Sequence, residues 1–176
     1  MNDLLGAAAA PGFDDPLGVL RACHRRIEKQ LATLDRLRRH LPLHGADEQA
    51  SGAATAIMRY FDSAAVHHHE DEEASLFPRL LAVRPDLAPV AHRLEAEHAT
   101  MAQRWAALRE RLVPIAAKTS TDLPDAVADA FAAAYTAHIA VEEGELFAQA
   151  DAALDAVTLA TIGEEMAARR GIRTGA

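Results

Sequence analysis

From Asp15 onward the apolar residues recur at helical spacing. Leu17, Leu20, Ile27, Leu31, Leu34, Leu37 and Leu41 stand three, four or seven residues apart, the stripe by which a helix faces a core. Asp15-Pro16 predicts its start, with Asp as N-cap and Pro at the first helical position, and Pro42 predicts its end at about His40. Pro42 and Gly45 mark a loop. Asp47 then caps a second predicted helix running to about Val83, with Pro78 loosening its last turn. Pro85-Asp86 opens a third, ending before Lys118, and Asp122 to Asp125 with Pro124 opens a fourth. A weaker amphipathic stretch, Leu154 to Arg170, predicts a short additional C-terminal helix, with Arg169-Arg170-Gly171 as its C-terminal signal.

Polar residues interrupt the stripes in a repeating way. His24 lies on the first, with Ile27 and Leu31 at +3 and +7; His98 lies on the third, with Met101 and Trp105 at the same offsets. The second and fourth helices carry one phrase twice. Phe61, His68, Glu72-Glu73 and Leu76-Phe77 recur as Phe131, His138, Glu142-Glu143 and Leu146-Phe147, the pattern Phe-x6-His-x3-Glu-Glu-x2-Leu-Phe. His and Glu four apart differ by only about 40° around a helix and share a face. Separations of 44 residues from His24 to His68 and 40 from His98 to His138 complete the duplication. Two related hairpins joined by short loops predict an all-α, up-down-up-down four-helix bundle.

Composition narrows the setting. Half of the 176 residues are apolar, much of that alanine, only 5% is aromatic, and the formal net charge is -8. Excess acid disfavours nucleic acid or an anionic membrane surface as partner. One cysteine permits no internal disulfide, and no apolar run reaches the roughly 20 residues of a membrane span. The expectation is a cytoplasmic protein: a mobile arm over residues 1–14 and one domain over 15–171.

The duplicated stripes aim four imidazoles (His24, His68, His98, His138) and two carboxylates (Glu72, Glu142) at one interior. Buried carboxylates without compensation cost several kcal/mol each, and metal ions satisfy them. Imidazole with carboxylate suits Fe, Zn, Cu or Ni. If each Glu bridges two ions, each ion has two His nitrogens and two carboxylate oxygens, and an oxo or hydroxo bridge makes five donors. A sixth position stays open for dioxygen, peroxide or nitric oxide. Phe61, Met101, Trp105 and Phe131, with Ile27 and Leu31, are the predicted apolar lining of that pocket. Ferritin-like di-iron bundles place Glu before His at i, i+3; here His precedes Glu at i, i+4.

The series His24, His68-x3-Glu72, His98, His138-x3-Glu142, with Glu-Glu-x2-Leu-Phe after each pair, resembles the hemerythrin-like HHE cation-binding family over about residues 15 to 171. The resemblance implies a non-haem di-iron centre on those six residues, with the carboxylates bridging. Two departures separate the chain from oxygen-carrying hemerythrins. Leu94 stands where those have a second histidine, and where their last carboxylate is an Asp at +5 this chain has Glu142 at +4 and Glu143 at +5. The implied function is binding of, or reaction with, small oxidants, in redox sensing or iron homeostasis. The alternatives are a di-iron oxidase, peroxidase or catalase-like enzyme, and an iron donor for iron–sulphur cluster repair. Glu73 and Glu143 are read as supporting or solvated, His67 and His69 as flanking polar residues, and Cys23 as a small packed residue.

Overall fold

Asp15 caps the first helix as its position before Pro16 predicts, its carboxylate accepting from Gly18 N at 2.9 Å. In the computed structural model, which describes residues 11–172, α1 spans Pro16–His44. It continues through Pro42 rather than stopping at His40. Pro42 lies in the last turn, where a missing N–H removes only one bond, and Gly45 at φ 72 closes the end by donating to Leu41 O.

Asp47 caps the next helix by accepting from Ala50 N. The rod from 48 to 83 is interrupted twice: α2 (Glu48–Arg59), a π-turn (Tyr60–Ala64), α3 (Ala65–Asp71), a second π-turn (Glu72–Leu76) and α4 (Phe77–Val83). Pro78 sits just after the second widened turn, which loosens the hydrogen-bond ladder where the ring would otherwise strain it. A 3-10 turn (Pro85–Leu87) leads into α5 (Ala88–Ala116). Then α6 (Asp125–Val141), a π-turn (Glu142–Phe147) and α7 (Ala148–Ala153) form the last long rod, and α8 (Ala156–Arg169) follows. No strand occurs among the described residues.

The long helices contact one another in a ring: α1 with α2 and α6, α5 with α2 and α6. Their buried faces form two apolar clusters. One contains Ile27, Phe61, Met101, Phe131 and Tyr135. The other contains Leu20, Cys23, Leu76, Phe77, Leu94 and Phe147, with Ile162 and Met166 of α8. Between them in every long helix lies one polar layer, because His24, His68, His98 and His138 each fall between residues of the two clusters.

The C-terminal helix is fastened by charge as well as by packing. Asp71, with no exposed surface, accepts from Arg169 at 2.7 Å and from Arg170 at 2.7 Å, while Glu165 meets Arg79 at 2.7 Å and Ser75 at 2.6 Å. Gly163 lets residue 13 approach α8, since a Cβ there would lie 1.8 Å from Phe13 O. Of the segment read as a mobile arm, residues 1–10 lie outside the described residues; Phe13 packs against the second cluster, under the Arg170 guanidinium at 5.5 Å. Among the described residues no helix is long and apolar enough to cross a membrane.

Candidate metal centre

The two His-x3-Glu phrases lie where α3 and α6 pass into their π-turns, so Glu72 and Glu142 each close the last α-turn and open a wider one. Both backbone N–H groups reach back to the histidine's carbonyl. His68 and His138 lie one turn earlier, and α1 and α5 present His24 and His98 from the facing side. All six side chains are buried, with His98 the most exposed at 5%. Their ligand-capable atoms form two overlapping groups, His24–His68–Glu72–Glu142 and Glu72–His98–His138–Glu142, each within 4.8 Å.

Every imidazole turns Nε2 inward, and each carboxylate divides its oxygens between the two histidine pairs. Glu72 Oε1 lies 3.3 Å from His68 Nε2 and 3.9 Å from His24 Nε2, while its Oε2 lies 3.5 Å from His98 Nε2. Glu142 Oε2 is 3.0 Å from His24 Nε2, and its Oε1 is 3.1 Å from His138 Nε2. Both oxygens of both glutamates, and His24 Nε2, are buried without a hydrogen-bond partner. Buried polar atoms are nearly always satisfied. A cation on each side of the carboxylate pair would satisfy all of them, and four nitrogens with carboxylate oxygens suit a borderline transition metal.

The second glutamate of each phrase reaches across to the opposite hairpin. Glu73 Oε1 accepts from His98 Nδ1 at 2.6 Å, and Glu143 Oε1 accepts from His24 Nδ1 at 2.9 Å. The closing phenylalanines cross in the same way: Phe147 stacks on His24 at 5.2 Å and Phe77 on His98 at 6.4 Å. Two consecutive glutamates and a phenylalanine from one hairpin therefore hold the lone histidine of the other. A third carboxylate, Glu97, accepts from His138 Nδ1 at 2.9 Å. His68 Nδ1 is buried and has no partner.

Electrostatics follow the burial. Desolvation, with neighbouring imidazoles adding to it, holds His68 well below the ordinary histidine range and brings His69 to about 3 and His98 to about 4. Burial, then the Glu142 charge, drives Glu72 well above the carboxylate range. In Glu142 burial acts upward too, but contacts from His138 and His24 outweigh it and hold that carboxyl low. His138 is raised, because Glu142 and Glu97 overcome its desolvation. Two like-charged groups share one dry layer, and the pair resolves into one high and one low carboxyl.

Phe61, Met101 and Phe131 are buried on one side of the layer. Trp105 packs against them at the outer edge, 5.1 Å from Phe61, and donates Nε1–H to Asp62 at 3.0 Å. Tyr135 completes this wall, 5.1 Å from Phe131, and burial, then Tyr60 and both glutamates, push its hydroxyl far up. It escaped the sequence reading because Ala65 holds the matching place in the first phrase. His69, read with His67 as a flanking polar residue, stacks on His98 at 4.0 Å and 11°, with its Nε2 buried and unpartnered. His67 pairs with Glu70 at 3.3 Å on the outer face.

The sequence model of the hemerythrin HHE cation binding domain matches residues 15–150. An uncharacterized protein of Haemophilus influenzae is 31% identical over 161 residues, covering 92% of this chain and 93% of that one.

Proposed function

The chain belongs to the hemerythrin HHE cation-binding family, and from that premise we propose that it is a non-haem di-iron protein that binds or reacts with dioxygen, peroxide or nitric oxide in redox sensing or iron homeostasis. On this reading the fold is the up-down-up-down four-helix bundle, the protein is cytoplasmic, and domain 15–171 surrounds the centre. His24 and His68 would hold one iron and His98 and His138 the other, with Glu72 and Glu142 shared between the two.

The observation that carries the reading is the division of each carboxylate between the two histidine pairs, with all four oxygens otherwise unpartnered. Iron bound there would supply redox chemistry toward a small oxidant. The protein's own residues supply the rest. Glu73, Glu97 and Glu143 keep a proton on Nδ1 of His98, His138 and His24, which leaves each Nε2 lone pair facing inward. Phe61, Met101, Phe131 and Tyr135 exclude bulk water from one side, and Leu76, Phe77, Leu146 and Phe147 from the other.

The test is iron loading under anaerobic conditions, followed by elemental analysis and absorption spectroscopy on admitting air. Two irons per chain and an oxo-bridged ferric absorption are expected. Glu142→Ala should lose metal, whereas Glu70→Ala, at an exposed residue paired with His67, should keep it. Equal iron in both variants would overturn the ligand set, and retention of zinc alone would overturn the redox role. Stopped-flow mixing with peroxide then separates a binder, which gives a single spectral change, from a catalyst, which evolves oxygen continuously.

A further inference from the structure

In the two halves of the polar layer the Nδ1 partners of the four inward histidines match at every position but one. His24 and His98 are each held at Nδ1 by the opposite hairpin's second glutamate, at 2.9 and 2.6 Å. His138 is held by Glu97, the residue immediately before His98. The residue immediately before His24 is Cys23. The duplication therefore puts a thiol in the register position that would serve His68, and His68 Nδ1 is buried with no hydrogen-bond partner. A thiol is only a weak acceptor.

Coordination through Nε2 forces the imidazole proton onto Nδ1. At His98 and His138 that proton meets a carboxylate, which fixes the tautomer, orients the ring and makes Nε2 a better donor. At His68 it meets nothing, so ligation there carries an unmet desolvation penalty. The bridging carboxylates are common to both sides and cancel in the comparison. We infer that the two metal positions are unequal: the His98–His138 position binds its ion more tightly, and the His24–His68 position is the one that fills last and exchanges first. Glu97 is the positioning residue responsible. This rests on the six-ligand, two-metal reading above.

Loss of one such outer carboxylate lowers metal affinity by about 10- to 100-fold, and that is the expected gap between the two positions. Metal-free protein titrated anaerobically with Co(II), followed by visible absorption and by chelator competition, should take up two equivalents in two steps separated by about that factor. Glu97 has a side chain 39% exposed, so its replacement leaves the packed core untouched. Glu97→Ala should bring the tight step down toward the weak one and leave the weak step where it was. Glu97→Gln, which still accepts from His138 but carries no charge, should fall in between. One equivalent or fewer bound by the unaltered chain would refute the two-metal reading. Two equivalents taken up in a single step, or a Glu97→Ala change confined to the weak step, would leave that reading standing and overturn the inequality.

Discussion

Replacing Glu72 by methionine should stabilise the metal-free protein and destabilise the metal-loaded one. Both Glu72 oxygens are buried without a protein partner, and burial with the Glu142 charge drives the carboxyl well above its ordinary range. An unsatisfied buried polar group costs about 1–3 kcal/mol. Methionine has a similar reach, is flexible and needs no partner, so Glu72→Met removes that penalty without opening a cavity. For a chain of this length one kcal/mol moves the melting midpoint by about 2–4 °C, which places the variant roughly 2–12 °C above the unaltered chain in excess chelator. Metal at a hundred times its dissociation constant adds about 2.7 kcal/mol to the unaltered protein. The variant, lacking a bridging ligand, should gain little of it. Far-UV circular dichroism melts in chelator and in metal should therefore cross over. A variant that melts below the unaltered chain in chelator, or gains as much from metal, would refute the reasoning.

Three further outcomes follow from separate parts of the structure. Asp71→Ala leaves Arg169 and Arg170 without their buried partner; their side chains are only 22% and 19% exposed, so a loss of about 2–4 kcal/mol is expected, with hydrogen exchange accelerating first in α8. Unchanged protection of α8 amides would contradict that role. Phe131→Ala, at a site with no exposure, should cost about 3–5 kcal/mol in denaturant unfolding with an unchanged m-value; a change below about 1 kcal/mol would mean that the aromatic wall is not tightly packed. In Glu165 burial acts upward, but Ser75 and Arg79 outweigh it and lower the carboxyl. A lowered native value gives stability that is present above the unfolded value near about 4.3 and lost as pH falls through the native one. Protection of α8 amides should therefore drop in acid, and Glu165→Gln should flatten that dependence.

The six inward residues were legible because the chain states them twice: the spacing His-x3-Glu gives one helical face, and repetition makes coincidence a poor explanation. Helix starts at Asp15 and Asp47 were legible from cap chemistry. What was hidden has specific causes. A uniform advance of about 100° per residue does not foresee the π-turns at Tyr60–Ala64, Glu72–Leu76 and Glu142–Phe147. Periodicity also says which face a residue occupies, not which neighbour it meets, so the crossing of Glu73 to His98 and Glu143 to His24 could not be read. Glu97 and Tyr135 have no counterpart in the other half, and a repeat hides whatever departs from it. The pairing of Asp71 with Arg169 and Arg170 joins charges nearly a hundred positions apart, and each looks like an ordinary solvated residue in its own segment.

The crossed contacts also explain how a phrase as uniform as His67-His68-His69-Glu70-Asp71-Glu72-Glu73 keeps a single register. A slip of one residue in α3 would still offer a histidine and an acid to the interior, so the inward pair His68 and Glu72 alone specifies it weakly. Their neighbours do not tolerate the slip. It would turn Phe61 away from Phe131 and Trp105, now 4.9 and 5.1 Å off, and take Phe77 from its place over His98. It would also move Asp71 away from Arg169 and Arg170, each now 2.7 Å off. The apolar residues on each side of the layer thus fix which acid faces the interior, and Asp71 fastens the same helix to the C-terminal one. Helix α8 lies beyond the matched family domain, yet Arg169 and its C-cap Arg170 grip Asp71, the residue next to Glu72, so the docking of α8 and the placement of that buried carboxylate are set together.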